Sequence, residues 1–422
     1  MKKFAWSILT LFLVGGSLTL QAQEIEKQMI IEDRKNTPEK EESPYVILVS
    51  LDGFRYDYIE KHQAKFLAEF ATLGTQAESL IPSYPSVTFP NHYSIVTGLY
   101  PGHHGLVGNT MYDRETQERY SLGNAKAVTD AKWYGGTPLW VLAEQQGMLS
   151  ACYYWPGSEA PIQGKMPTYY YKYSEKSSID SRLEQVSNWL KLPAEKRPHF
   201  ITFYMPEVDH AGHRFGPDAE ETTKAVQYVD DAMRKLYDIV KESGLPINLV
   251  VVSDHGMLAL DQKTLLQLPF KVDESEMAVA SNGTYVSLFI KDPKKISSWY
   301  EKIKESIDPK LMEVHLKDEL PEAYHFGTKD DRYNRVGDIV LTAHAPYYFT
   351  NRALAGSHGF DPAKVKEMHA LFMAVGPNFK ANNRVESFEN VHIYPMIAQI
   401  LKLSIKEQEI DGNLELAETF VK

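Results

Sequence analysis

Four uninterrupted apolar runs are the feature that most limits how this chain can fold. They are YVILVSLDG (45–53), HFITFYMPEVDH (199–210), INLVVVSDHG (247–256) and HALFMAVGP (369–377). A strand with both faces buried is apolar throughout instead of alternating with polar residues. Amphipathic helical patterns lie between and beyond the runs, at 58–73, 178–192, 219–243 and 391–403. Strands that alternate with helices predict an α/β fold with a mostly parallel central sheet flanked by helices.

The start and the middle of the chain have different patterns. Residues 1–22 combine two lysines, an apolar stretch and a small-residue ending, which predicts a secretory signal peptide; a retained membrane anchor is the alternative. Residues 23–44 are charged and poor in aromatic side chains, which predicts a flexible tether. Within the main domain of 45–422, shorter strand patterns around one helical pattern predict an inserted α+β lobe at about 258–352.

Charge and cysteine content narrow the class of protein. The formal net charge of −11 argues against a nucleic-acid scaffold, which usually has a basic face. Small nucleotides stay possible as substrates, because a bound metal can supply positive charge locally. The single cysteine, Cys152, excludes an intramolecular disulfide. From the signal-peptide pattern at residues 1–22 we expect an exported protein, periplasmic or secreted, with no membrane span in its mature chain.

Aspartate and histidine residues follow three of the four apolar runs. Asp52 ends the first, Asp209 lies at the end of the second with His213 four residues later, and Asp254-His255 follows the third. His358 lies between glycines in GSHGF. Taken singly, each has an ordinary alternative as a turn, a helix cap or a structural histidine.

Together these six side chains predict a metal site. Parallel strands present their carboxyl ends at the same edge of a sheet, so distant segments converge there. Three carboxylates and three imidazoles suit two divalent ions, zinc best, with manganese or iron possible. Paired ions of this kind are common where an in-line displacement takes place at phosphorus.

Two hydroxyl residues precede a predicted helix that begins at Pro90. Ser86 and Thr88 lie in SYPSVTFPNH, just before that start. The N-terminus of a helix favours an alkoxide and a bound phosphoryl group, so either hydroxyl could be a nucleophile. The alternative is that one of them only caps the helix.

At this point the motifs resemble a known family. VSLDGFRYDY, PSVTFPNHYSIVTGLYPGHHGLVGNTMYD, YYWPGSE, FYMPEVDHAGHRFGP, VVSDHGM and GSHGF are similar to motifs of the nucleotide pyrophosphatase/phosphodiesterase family, in the alkaline phosphatase superfamily. They occur in the family's order and span 49–360. The resemblance implies an alkaline phosphatase-like fold. The chain lacks the cysteine-rich and nuclease-like modules of the large animal members, so it resembles a short, secreted bacterial form.

The resemblance also implies roles for individual residues. Thr88 would be the nucleophile and form a phospho-threonine intermediate. One of two zinc ions would be held by Asp52, Thr88, Asp254 and His255, and the other, which activates water, by Asp209, His213 and His358. Asn109 would donate a hydrogen bond to a phosphoryl oxygen; a turn residue is its alternative.

The substrate implied is a small nucleotide diester or pyrophosphate, cleaved to a nucleoside 5′-monophosphate. Phe89 and Tyr204 would form the walls around the base, with Tyr154 and Trp155 adding to the pocket; an ordinary core role is the alternative for each. A different pocket on the same metal site would accept phosphocholine-type lipid headgroups or phosphonate esters. Outside the enzyme class, the alternative is an exported protein that binds metal or nucleotide without catalysis.

Overall fold

The computed structural model describes residues 26–415 of the chain. Its strands are β1 (Met29–Ile30), β2 (Tyr45–Leu51), β3 (Thr75–Ala77), β4 (Leu80–Ile81), β5 (Thr110–Tyr112), β6 (Arg119–Ser121), β7 (Ser150–Tyr153), β8 (Tyr169–Tyr171), β9 (Phe200–Met205), β10 (Ile247–Val252), β11 (Leu258–Ala259), β12 (Leu265–Leu266), β13 (Met277–Ser281), β14 (Tyr285–Ile290), β15 (Met312–Leu316), β16 (Ile339–Ala343), β17 (Tyr348–Phe349), β18 (Gly356–Ser357), β19 (Phe372–Val375), β20 (Asn383–Val385) and β21 (Phe388–Glu389).

The α-helices of the same range are α1 (Pro38–Glu41), α2 (Tyr58–Lys61), α3 (Lys65–Thr72), α4 (Thr88–Thr97), α5 (Pro101–His104), α6 (Ala125–Val128), α7 (Leu139–Gln145), α8 (Ile179–Leu190), α9 (Glu207–Phe215), α10 (Glu220–Ser243), α11 (Ile296–Ser306) and α12 (Ile393–Ile400). Between residues 26 and 415, no helix combines the length and apolar character needed to cross a bilayer. The predicted signal peptide, 1–22, lies outside the described residues.

A nine-stranded sheet organises the fold, in the order β1-β8-β7-β9-β2-β10-β19-β3-β20. Its five consecutive strands from β8 to β10 are all parallel to one another. β19, the last of the four apolar runs, pairs antiparallel with β10 and β3. The predicted α/β fold with a mostly parallel central sheet is confirmed.

The unbroken apolar character of the central strands follows from burial on both faces. Successive side chains of β2 point to opposite sides, so Val46 and Leu48 enter one core while Ile47 and Val49 enter the other. Helices α4, α7 and α12 cover the first core, and α3, α8 and α10 cover the second. Every residue of β2, β9 and β10 is buried. The chain segments that contain the predicted ligands Asp52, Asp209 and Asp254 therefore continue directly from fully buried strands.

Several predicted element boundaries were wrong. The helical pattern at 58–73 forms two helices, α2 and α3, because Gln63 between them has a positive φ of 56°. The second apolar run is a strand only as far as Met205, and its final residues belong to α9. Helix α4 begins at Thr88 rather than at Pro90. Helical periodicity locates a face well but fixes the ends of an element poorly.

The flexible tether predicted over 23–44 is wrong for the part that the structure describes. β1 pairs with β8 at the edge of the central sheet. The Asn36 amide donates to the carbonyls of Ala194 and Arg197, both at 2.8 Å, and its oxygen accepts from the Leu149 N–H at 2.7 Å. Composition predicted mobility, but a few well-placed polar side chains anchor this charged segment to the domain.

Residues 277–343 contain a second, separate sheet of four antiparallel strands, in the order β13-β14-β16-β15. Helix α11 packs with these strands around an apolar core of their own. This arrangement lies inside the predicted α+β lobe, whose limits as a domain stay a prediction. Asn282 and Tyr285, at the turn between β13 and β14, also bond to the loop around Asn109, beside the site described next.

Candidate metal centre

Three neighbouring strands carry the aspartates to one edge of the sheet. Asp52 is the first residue after β2, and Asp254 is the second residue after β10. Asp209 lies near the start of α9, which follows β9 directly, and His213 lies one helical turn further on the same face. Since β9, β2 and β10 are parallel neighbours, their carboxyl ends bring these side chains together.

The first group of donors, the nucleophile cluster, comprises Asp52, Thr88, Asp254 and His255. The Nε2 atom of His255 lies 3.3 Å from Thr88 Oγ1, 3.0 Å from Asp254 Oδ2 and 3.6 Å from Asp52 Oδ1. The two aspartates and the histidine are fully buried, whereas Thr88 is half-buried. The Thr88 hydroxyl therefore lies at the boundary between the buried side chains of the cluster and the space that solvent can reach.

The second group, the histidine cluster, comprises Asp209, His213 and His358. Asp209 Oδ1 lies 3.4 Å from His213 Nε2 and 3.6 Å from His358 Nε2, and the two histidine nitrogens are 3.1 Å apart. The rings of His358 and His255 stack with centroids 3.4 Å apart, so the two clusters adjoin.

Backbone carbonyls orient the three imidazoles in the same way. The Nδ1 atoms of His255, His213 and His358 each lie 2.9 Å from a carbonyl oxygen, those of Gly256, Gly356 and Ser86 respectively. A ring that donates from Nδ1 presents Nε2 as an electron-pair donor. Outer hydrogen bonds of this kind are typical of histidines that bind a metal.

The carboxylates fit a cation at the same place. Asp52 Oδ1, Asp209 Oδ1 and Asp254 Oδ2 are buried and accept no hydrogen bond. Buried anionic oxygens without donors are costly unless a cation compensates them. Ligand atoms of Asp52, Asp254 and His255 lie within 4.8 Å of one another, as do those of Asp209, His255 and His358. The donor set therefore fits divalent ions, and His255 lies within reach of both groups.

The pKa values of the two aspartates in the nucleophile cluster, Asp52 and Asp254, are shifted in opposite directions. Burial raises the pKa of Asp52 well above its usual value, and the charges of Asp254 and Asp209 add to the rise. Burial alone would also raise the pKa of Asp254, but the adjacent His255 and His92 rings outweigh it and hold that pKa well below its usual value. Without a bound cation, the fold therefore disfavours ionisation of Asp52 beside the ionised Asp254.

The nucleophile position is distinguished from Ser86 by geometry. Val87 occupies the N-cap position of α4, and no side chain there caps the helix. Thr88 is the first helical residue and faces the cleft, whereas Ser86 is fully buried and donates from Oγ to the Phe360 carbonyl. Thr88 and Ser86 were predicted together just before the helix, and the helix start two residues earlier separates them.

His92 is a site residue that the sequence reasoning missed. Its Nδ1 lies 2.9 Å from the Thr88 carbonyl and 3.1 Å from Asp254 Oδ2, and its Nε2 lies 2.7 Å from Ser50 Oγ. It is completely buried. A helix that begins at Thr88 places His92 one turn later on the same face, so the i, i+4 spacing is the signal that indicates it.

Asn109 lies beside the N-terminus of α4. Its side-chain oxygen accepts a 2.9 Å hydrogen bond from the Phe89 N–H. This bond fixes the amide and leaves its NH₂ group available to another acceptor. A neighbouring glycine, Gly108, is packed against Tyr285 and Asn282, so the turn that carries Asn109 is held closely.

An aromatic cleft of about 350 Å³ opens over Thr88. The predicted pocket residues Phe89, Tyr154, Trp155 and Tyr204 all line it. The Tyr204 hydroxyl also donates to Asp52 Oδ2, and the Tyr154 hydroxyl donates to Glu26 at 2.6 Å. Tyr204 therefore connects the cleft wall directly to the nucleophile cluster.

Residues that were not predicted also line the cleft, among them Leu122, Glu159, Tyr173, Glu175 and His210. Leu122 and Tyr173 leave 49% and 44% of their surfaces exposed, which makes them available to a ligand. His210, the residue after Asp209, lies with Nε2 4.0 Å from Glu175 Oε1. Glu159 and His210 lie within the motifs YYWPGSE and FYMPEVDHAGHRFGP, whereas no local motif marks Leu122, Tyr173 and Glu175, which loops from distant segments bring to the cleft.

Comparison with known proteins decides the family. The sequence model of type I phosphodiesterase / nucleotide pyrophosphatase matches residues 46–361. The chain belongs to this family. The matched range includes every residue of the two clusters, as well as Asn109 and the predicted cleft residues.

The relatives include large animal proteins. The chain is 34% identical over 382 residues to the venom phosphodiesterase of Naja atra, covering 87% of this chain and 45% of that protein. It is 35% identical over 379 residues to human ectonucleotide pyrophosphatase/phosphodiesterase family member 1, covering 86% and 40%. The chain thus spans less than half the length of these curated relatives.

Solved structures give the same family. Murine ectonucleotide pyrophosphatase/phosphodiesterase 5, as an inactive threonine-to-alanine variant in complex with AMP, superposes with a TM-score of 0.82 at 27% identity. The match covers 90% of this chain and 100% of that one. Human ectonucleotide pyrophosphatase/phosphodiesterase 5 also superposes with a TM-score of 0.82, at 26% identity.

The raised pKa of Asp52 predicts that replacing its carboxyl group with a neutral amide stabilises the metal-free protein. In protein stripped of metals by a chelator, Asp52→Asn should raise the thermal unfolding midpoint at about pH 8 by a few degrees, because ionised Asp52 is disfavoured in the fold. A carboxyl whose folded pKa lies above its unfolded value loses stability as the pH rises. The advantage of the amide should therefore shrink as the pH falls toward about 4.

Differential scanning calorimetry of both proteins across this pH range measures the effect. Asp238→Asn, at an exposed position of α10, is the matched control and should leave the midpoint unchanged. A metal-free Asp52→Asn protein less stable than the parent at about pH 8 would contradict the charge argument.

Proposed function

We propose that the chain is a metal-dependent phosphodiesterase and nucleotide pyrophosphatase that releases nucleoside 5′-monophosphates through a phospho-threonine intermediate. The observation that carries the proposal is the Thr88 hydroxyl, 3.3 Å from His255 Nε2, at the first position of α4 and at the floor of an aromatic cleft. Membership of the phosphodiesterase family supports the same reaction class.

Two zinc ions are the proposed cofactors. Asp52, Thr88, Asp254 and His255 would hold one, and Asp209, His213 and His358 would hold the other. When bound, such ions act as Lewis acids that favour deprotonation of a hydroxyl or a water and offset negative charge on the phosphoryl group. Three orphaned carboxylate oxygens and three uniformly oriented imidazoles are the features of this chain that support the assignment.

The chain's own residues then position the two displacements. The Thr88 oxygen, as an alkoxide, forms a bond to phosphorus while the bond to the leaving oxygen breaks. The Asn109 NH₂ group would donate to the developing charge, and the positive end of the α4 dipole would lie beside it. In the second step a water oxygen attacks the same phosphorus, the bond to Thr88 breaks, and the threonine oxygen is reprotonated.

The cleft supports a nucleotide as the substrate. Phe89, the residue after the nucleophile in the chain, and Tyr204 both line the cleft, and Tyr154 and Trp155 add to its aromatic surface. Flat rings of this kind stack on a base. The AMP bound to the murine relative, and the loss of activity there when a threonine becomes alanine, support the same assignment for this chain.

Export from the cell is part of the proposal. The signal-peptide pattern at 1–22 supports it, and so does similarity to venom phosphodiesterases. The antiparallel lobe at 277–343 would serve to frame the site.

Phosphocholine-type esters are the second candidate substrate. Glu159 and Glu175 line the same cleft as Tyr154, Tyr173 and Trp155. Carboxylates among aromatic faces suit a quaternary ammonium group as well as a base. The distinction therefore depends on relative rates with the two kinds of ester.

Loss of the Thr88 hydroxyl should abolish turnover without removing the metals. Thr88→Ala is expected to reduce kcat by at least about a thousandfold, because it removes the oxygen that would form the bond to phosphorus. Thr88→Ser is the matched control and should keep measurable activity. Zinc content by elemental analysis should be two per chain in both variants. An alanine variant that turns over at the parental rate would exclude the threonine mechanism.

Relative rates on three chromogenic esters identify the substrate class. On zinc-loaded protein, p-nitrophenyl thymidine 5′-monophosphate should react much faster than p-nitrophenylphosphocholine or p-nitrophenyl phosphate. Phe89→Ala should raise KM for the nucleotide ester by about tenfold, the effect of one lost stacking contact, and change the phosphocholine rate little. A faster phosphocholine reaction would keep the metal chemistry and move the enzyme to lipid headgroups.

A further inference from the structure

Ser86 is the hydroxyl that the proposed reaction does not use, yet it makes three contacts with one short segment. Its carbonyl oxygen lies 2.9 Å from His358 Nδ1. Its Oγ donates to the Phe360 carbonyl at 2.7 Å and accepts from the Gly359 N–H at 3.2 Å. One fully buried residue thus contacts three consecutive residues that lie more than 270 positions away.

The segment that Ser86 holds is the ligand loop, residues 356–361. It carries His358, and its Gly356 carbonyl accepts from His213 Nδ1. Two of the three members of the histidine cluster are therefore oriented through this loop. Ser86 itself lies two residues before Thr88 and belongs to the chain segment that carries the nucleophile.

Packing leaves the ligand loop little freedom at this contact. Gly359 has a φ of 109°, and a Cβ atom there would lie 2.4 Å from Thr284 Oγ1 and 2.9 Å from Val87 Cγ1. The Thr284 hydroxyl donates to the Gly359 carbonyl at 2.9 Å. The loop is thus held between the nucleophile segment on one side and the start of β14 on the other.

We propose that Ser86 is a positioning residue that fixes His358 relative to Thr88 and so sets the spacing between the histidine cluster and the nucleophile cluster. This inference rests on the proposed two-zinc function. Without the Ser86 hydroxyl, the ligand loop would keep its ring-to-carbonyl bond but lose both bonds to Oγ. The zinc site of the histidine cluster should then weaken, while the site of the nucleophile cluster should not.

Zinc titration of metal-free protein against a competing chelator tests the proposal without any catalytic readout. The parent should bind two zinc ions. Ser86→Ala should bind one with parental affinity and the other about ten- to a hundredfold more weakly, the usual effect of removing an outer-shell partner. Activity lost at low zinc should return as zinc is raised, which a general folding defect would not show.

Ser94→Ala is the matched control. Ser94 is fully buried in α4, the helix that follows Ser86, and its Oγ bonds to His104 at 3.0 Å. It removes a buried hydroxyl of the same kind and should leave both zinc affinities at the parental level. Equal zinc binding by Ser86→Ala and the parent would overturn the inference, whereas a parent that binds no zinc would instead refute the proposed function.

Hydrogen–deuterium exchange on the parent protein tests the same point if Ser86→Ala does not fold. If Ser86 holds the ligand loop, amides in 356–361 should stay protected after zinc is removed, because the Gly359 N–H is bonded to Ser86 Oγ. Rapid exchange of this segment in the metal-free parent would show that the metals hold the loop, and would overturn the inference.

Discussion

Buried negative charge at one edge of the central sheet is the constraint on which the rest of the structure depends. Asp52, Asp209 and Asp254 converge because β2, β9 and β10 are parallel neighbours, and one oxygen of each accepts no hydrogen bond. Such an arrangement opposes folding unless something else offsets it. Two large apolar cores, one on each face of the sheet, provide that stability. The fold therefore tolerates a charged site that the proposed cations would stabilise.

The nucleophile is coupled to this charge through short, buried contacts. His92 donates to the Thr88 carbonyl and lies beside Asp254, and Tyr204 reaches Asp52 from the cleft wall. Ser86 connects the same chain segment to the loop that carries His358. The helix that begins at Thr88 thus meets both ligand clusters and the cleft. One rigid segment can in this way set the geometry of attack, of charge stabilisation and of base binding together.

The sequence was sufficient for the sheet and for the clustered ligands, because both follow from strong local signals. Continuous apolar runs predict strands that are buried on both faces. Aspartates at the carboxyl ends of neighbouring parallel strands then lie close together at one edge of the sheet. Leu122, Tyr173 and Glu175 could not be found in this way, since loops of unrelated length bring them to the cleft. The docked segment from residue 26 was also unpredictable, because single side chains such as Asn36 outweigh a composition typical of mobile chain.

In the proposed reaction phosphorus is attacked twice, first by Thr88 and then by water. The stereochemical course at phosphorus tests it most directly: one diastereomer of a phosphorothioate nucleotide diester is hydrolysed in heavy-oxygen water, and the product configuration is read by phosphorus NMR. Each in-line displacement inverts the centre, so two successive displacements predict overall retention. Overall inversion would mean that water attacks the substrate directly, and would contradict the account.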